Sequence, residues 1–158
     1  MKRLVPLCAL FLAAGSISAA TALAQPSPKA TGDVGAETAT QAFTAQFVGQ
    51  GSLTDAKGNY SIQFTRGSLA GQNYSGQVTC YTQSGNVGTL AGPVVDTNNS
   101  TITFIRITVQ DNGEGSKASG PDQIQVQRFA SAPPVSSQCR TPDPPSFATV
   151  TDGNLQVH

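Results

Sequence analysis

From Phe43 onward, apolar and polar side chains alternate in short runs, the mark of strands that bury one face. Phe43, Ala45, Phe47, Gly49, Gly51 and Leu53 share a face opposed by Thr44, Gln46, Gln50, Ser52 and Thr54. Asp55 to Asn59 reads as a turn, after which Tyr60, Ile62 and Phe64 alternate with Ser61, Gln63 and Thr65, so a hairpin is expected. Tyr74, Gly76, Val78 and Cys80 then oppose Ser75, Gln77, Thr79 and Tyr81. A turn at Gln83 to Asn86 leads into a weaker strand through Val87, Thr89 and Ala91 that ends near Pro93.

Asp96 to Ser100 is a further turn, and the strongest strand pattern follows at Thr101 to Gln110. Thr103, Ile105, Ile107 and Val109 lie on one face of it, and Ile102 and Phe104 on the other, which implies burial on both sides near its start. A Gly-rich loop spans Asp111 to Asp122, a strand runs from Gln123 to Phe129 with Ile124 and Val126 inward, and Ala130 to Ser146 is Pro-rich. Strand signals return at Phe147 to Val150 and Leu155 to Val157. No segment repeats apolar residues at helical spacing. The pattern predicts one all-β domain over residues 43–158, an antiparallel sandwich or small barrel of about seven to nine short strands.

The N-terminal region reads differently. Met1-Lys2-Arg3 is a positive start, Leu4 to Ala14 is apolar, and Ala22-Leu23-Ala24 has the small residues a signal peptidase accepts, so residues 1–24 are expected to be a signal peptide cut after Ala24. The apolar run is shorter than the roughly 20 residues that span a bilayer, so no membrane span is expected after cleavage. Residues 25–42 are small and polar and predict a flexible linker. With Cys8 inside the leader, Cys80 and Cys139 remain in a chain bound for an oxidising compartment, and a single bridge between them is the expectation. An immunoglobulin domain is disfavoured, because the chain has no Trp and Cys139 sits among prolines instead of on an alternating strand.

Composition narrows the chemistry. Only 11% of the 158 residues are charged, with nine Lys plus Arg balancing nine Asp plus Glu, so there is no basic field for nucleic acid or anionic lipid. The single His is the last residue, His158, which argues against a catalytic triad, and one His with two bridged cysteines cannot build a zinc site. Asp111, Glu114 and Asp122 are the densest acidic group. They suggest two roles besides solvated loop acids: a carboxylate pair for glycoside hydrolysis, or oxygen ligands for calcium, the one candidate cofactor. The loop matches neither the EF-hand spacing nor the glycine repeat of calcium-binding β-rolls.

Val109-Gln110-Asp111-Asn112-Gly113-Glu114, followed by Asp122-Gln123-Ile124-Gln125-Val126 and the ending Gly153-Asn154-Leu155-Gln156-Val157-His158, resembles the bacterial post-COAP domain, a C-terminal module of exported proteins. In that family a D-x-G-E-P-G loop precedes an Asp and an alternating strand, and the module ends in G-N-I-Q-[IV]-H. Here Gly115-Ser116 replaces the Pro-Gly, and Ala130 to Ser146 is enlarged. The resemblance, which covers Gly49 to His158, implies an exported all-β accessory module without an enzymatic activity to carry over, and gives Asp111 and Asp122 the role of bracing their loop.

The sequence expectation is therefore a secreted, periplasmic or extracellular, non-catalytic β domain with a binding or structural role toward a protein or polysaccharide at the cell surface. A carbohydrate hydrolase using the acids of the 111–122 loop and a carrier of a small apolar ligand are the alternatives. Edge strands rich in Gln and Thr leave a homo-oligomer open.

Overall fold

The computed structural model describes residues 27–114, 118–141 and 146–158. The signal segment lies outside the described residues. Nine strands form one antiparallel sheet: β1 Lys29–Glu37, β2 Ala42–Gly51, β3 Ala56–Arg66, β4 Asn73–Gln77, β5 Cys80–Ser84, β6 Val87–Thr97, β7 Phe104–Gln110, β8 Gln123–Phe129 and β9 Ala148–Val157. One short helix, α1 Val135–Gln138, lies between β8 and β9. Neighbouring strands run in the order β4-β3-β2-β1-β9-β8-β7-β6-β5, and a second pairing of β4 with β6 brings the sheet round into a ring. The all-β class and the strand number match the alternation in the sequence. No helix among the described residues is long and apolar enough to cross a membrane.

The segment expected to be a linker is instead a central strand. β1 pairs with β2 along its length, from Lys29↔Gln50 to Glu37↔Ala42, and with β9 on its other side. Thr38 turns the chain tightly into β2, its hydroxyl accepting the N–H groups of Thr40 and Gln41. The inward positions of β1 are Ala30, Gly32, Val34 and Ala36, too small to register as an apolar stripe. Smallness is what the packing requires there. A Cβ on Gly32 would stand 2.3 Å from Cζ of Phe47, its register partner, so the phenyl ring occupies the space a side chain would take. Tyr60 lies across Gly76 in the same way, and its hydroxyl donates to the carbonyls of Pro93 (2.9 Å) and Gly92 (3.2 Å).

Other local expectations shift by a few residues. The β2–β3 turn is Ser52 to Asp55, and Ala56 to Asn59, expected in the turn, already pair with β2. β6 continues through Pro93 to Thr97, with Leu90 inward and Thr89 and Ala91 outward. The two C-terminal strand signals are one strand, β9, whose alternation is broken by a bulge where Gly35 faces Asp152 and Ala36 faces Val150.

The most consequential shift is at Cys80. The sequence alternation puts Cys80 on the face of Tyr74 and Val78. Between β4 and β5 the register against β6 slips by one, with Gly76 opposite Val94 but Cys80 opposite Ala91, and the Thr79 N–H also bonds the Ala91 carbonyl. This extra residue is a bulge, and past it every side chain changes face. Tyr74, Val78 and Tyr81 therefore enter the ring interior, and Cys80 faces out.

Two apolar clusters result. The ring interior holds Phe43, Phe47, Tyr60, Ile62, Phe64, Tyr74, Tyr81, Leu90, Ile105, Ile107, Val109, Ile124 and Leu155 with smaller residues. A second cluster outside the ring joins Cys80, Ala91, Phe104 and Cys139, with Phe129 at its border. It forms because the Pro-rich segment after β8 folds back over β5 to β8 and buries the outer face of β7, as Phe104 had implied. The Cys80–Cys139 disulfide, spanning 59 residues, staples this strap down. Thr82 donates to the Cys139 carbonyl (2.7 Å), and Arg106 donates to the Ser137 carbonyl (2.8 Å) while lying 5.1 Å from the Phe129 ring centroid.

Two outcomes are expected. Replacing both cysteines with Ser should cost about 4 kcal/mol by denaturant titration, because the closed loop is long; a loss under 1 kcal/mol would mean that the strap holds without the bond. Gly32→Ala should lower stability by about 1–3 kcal/mol through overpacking against Phe47, and Gly32→Ala combined with Phe47→Leu should recover part of that loss.

Candidate functional site

The acidic loop is the first site to build. β7 and β8 are joined by Asp111 to Asp122, and the described part of this loop is held by its own carboxylates. Oδ1 of Asp111 accepts the Gly113 N–H (2.9 Å), and Oδ2 accepts the Val157 N–H at the end of β9 (3.0 Å). Oδ1 of Asp122 accepts the Asn112 N–H (2.8 Å), and the Asp122 carbonyl accepts the Val150 N–H (2.9 Å). Asn86, in the two-residue turn between β5 and β6, exchanges backbone and side-chain bonds with Asp111. The loop is thus tied to the β5–β6 turn and to β9. Gly113, at φ +85°, supplies the left-handed backbone of the Asp-Asn-Gly turn.

This arrangement uses the Asp111 and Asp122 carboxylates as acceptors for backbone amides of the loop and of β9. Glu114 is exposed, and among the described residues no three His, Cys, Asp or Glu side chains gather into a metal-binding group. Asp111, Glu114 and Asp122 line none of the four best-formed cavities. His158 directly follows β9, and its ring meets Gln156 (3.1 Å).

Asp122 has its pKa raised. Partial burial of the carboxylate is the largest cause, the Asn112 N–H opposes it, and the charges of Asp111 and Glu114 add to the rise. Within the ring, burial pushes the Tyr81 hydroxyl up to about 12 and raises Tyr60 further. Both phenols stay protonated and act as donors.

A groove of about 570 Å³ lies elsewhere, across the outer face of β1 to β4. Its walls come from the polar half of the strand alternation: Gln46 on β2, Asn59 and Ser61 on β3, Ser75 and Gln77 on β4. Val48 and Val95 add an apolar strip, and Val95 is 75% exposed. Asp33 is the only charged residue in the lining, and it accepts a bond from Nε2 of Gln46 (3.3 Å). The groove is therefore wide, shallow and nearly neutral, with side chains that both donate and accept. Sequence reading passed over these residues, since Gln, Asn and Ser at alternate strand positions look like any solvated sheet face. The one available signal was the scarcity of charge on that face.

The aromatic and aliphatic side chains of the main cluster pack into the ring interior. No protein-family model matches the chain, and neither a curated protein nor a solved structure matches it.

Because folding raises the Asp122 pKa, the folded chain holds that proton more tightly than the unfolded one. Its contribution to stability is therefore greatest in acid and declines as pH rises through the ordinary carboxylate range to the raised value. Asp122→Asn keeps the Oδ1 acceptor without the charge and should melt no lower than the parent at pH 7, its relative advantage shrinking toward pH 4. Asp122→Ala should lose about 1 kcal/mol, and Asp111→Ala, which removes two acceptors, about 1–3 kcal/mol. Unchanged melting in both Ala variants would dissociate these acids from loop stability.

Proposed function

We propose that the chain is an exported, non-catalytic β domain that holds a neutral polysaccharide in the groove across β1 to β4. The observation that carries this reading is the lining: five uncharged amide and hydroxyl side chains around an exposed valine strip, with a single carboxylate. Each amide or hydroxyl can donate to one sugar hydroxyl and accept from another, and Val48 and Val95 offer a surface to the apolar face of a sugar ring.

The non-catalytic part of the reading is supported by the employment of Asp111 and Asp122 as backbone acceptors. The signal-like start and the Cys80–Cys139 bridge support export to an oxidising compartment. The resemblance of the 109–126 and 153–158 motifs to an exported accessory module points the same way.

Affinity electrophoresis through gels cast with neutral polysaccharides, a dextran, a mannan, a galactan and a soluble cellulose, tests the reading. At least one should retard the chain. The retardation should persist as salt is raised, because no ion pair is involved. Gln46→Ala with Gln77→Ala should weaken it about tenfold, as expected for two neutral hydrogen bonds. Equal migration in every gel overturns the groove assignment, and release of reducing ends by the purified chain overturns the non-catalytic one.

A further inference from the structure

The ring is loosely joined at one seam. β8 pairs with β7 along its length, and β9 pairs with β1, yet β8 and β9 share only Gln123↔Thr149 and Ile124↔Ala148. Beyond Ile124 the two strands part. A pocket of about 210 Å³ borders this opening, reaching the β1–β2 turn and the β3–β4 connection. Phe43, Phe64, Leu69, Ile124 and Val126 line it, the two phenyl centroids 5.4 Å apart. No Asp or Glu is in the lining.

Arg128 is the one charged residue there. Its guanidinium carbon lies 5.7 Å from the Phe64 ring centroid, and Nη1 donates to Oε1 of Gln72 (3.2 Å) and to the Tyr74 hydroxyl oxygen (3.5 Å). Asn99 Nδ2 donates to the same two oxygens, and the Tyr74 hydroxyl donates to Gln72 Oε1. These groups are all neutral, and among the described residues no carboxylate pairs with Arg128. The guanidinium is thus held in place on an aromatic face beside apolar walls, with no carboxylate partner among the described residues. A guanidinium carries five N–H donors, and a carboxylate is the ligand its fork fits best. The pocket is smaller than the roughly 300–1,000 Å³ typical of sites for drug-sized ligands.

We propose that this seam pocket binds a small monocarboxylate with an apolar body, its carboxylate on Arg128 and its body against Phe43 and Phe64. The site shares no lining residue with the outer groove, so it stands or falls independently of the polysaccharide reading.

Titration of the isotope-labelled chain with benzoate and hexanoate, followed by amide NMR, tests it. Millimolar acid should shift the amides of Leu69, Val126 and Arg128 and leave those of Gln46 and Gln77 unmoved. Hexanol, which keeps the body and loses the charge, should bind at least tenfold more weakly than hexanoate. Arg128→Gln, if its spectrum remains that of a folded chain, should abolish this preference. No shift with either acid overturns the proposal, as do equal affinities for hexanol and hexanoate or undiminished hexanoate binding by Arg128→Gln. Should that variant fail to fold, the acid-to-alcohol ratio on the parent chain decides alone.

Discussion

Closure of the sheet depends on β4, five residues long, which bonds β3 on one edge and β6 on the other. An open antiparallel sheet of this length would leave two rows of unpaired amides and carbonyls, a template for association with other chains. The double pairing removes most of that edge. It is possible because the chain inserts one residue between Gly76 and Cys80, so that β4 can lean toward β3 while β5 stays with β6. Tyr60 locks the junction from inside, its hydroxyl on the Gly92 and Pro93 carbonyls and its ring over Gly76.

The same inserted residue determines what lies outside the ring. By turning Cys80 outward it gives the segment after β8 an anchor, and the strap that follows buries Phe104 and the hydroxyls of Thr89 and Thr108. Thr89 meets both Thr108 (3.3 Å) and Thr141 (3.2 Å), so its buried hydroxyl has partners both in the strap and beneath it. β7 becomes a strand buried on both faces. Its polar residues in that stretch survive burial because the strap supplies acceptors, as Ser137 does for Arg106.

Polar chemistry is distributed in three ways over this frame. The Asp111 and Asp122 carboxylates accept backbone N–H groups of their own loop and of the end of β9. The outer face of β1 to β4 carries neutral amides and hydroxyls with a single carboxylate, Asp33, which Gln46 bonds. At the seam between β8 and β9, where the ring is least complete, an arginine faces apolar walls and, among the described residues, bonds neutral neighbours. The sheet's curvature and its incomplete join, more than any sequence motif, place the two cavities.

Much of the fold was legible in the residues. Period-two alternation in Phe43–Phe47, Tyr60–Phe64 and Ile105–Val109 identified inward faces, because a strand in a half-buried sheet has no other way to hide its apolar side chains. The pairing of Cys80 with Cys139 followed from count and compartment, whereas the bracing role of Asp111 and Asp122 came only from the family resemblance. β1 escaped notice because its inward residues are small, and their smallness has meaning only beside Phe47. The faces of Cys80 and Tyr81 were inverted because a bulge costs one residue and leaves no mark on composition. The groove and the seam pocket were invisible for a similar reason: each draws residues from at least three strands. Sequence periodicity thus determined which side of most strands is apolar, a property local to each strand. Register, bulges, ring closure and cavities are relations between strands, and only the packed tertiary structure decided them.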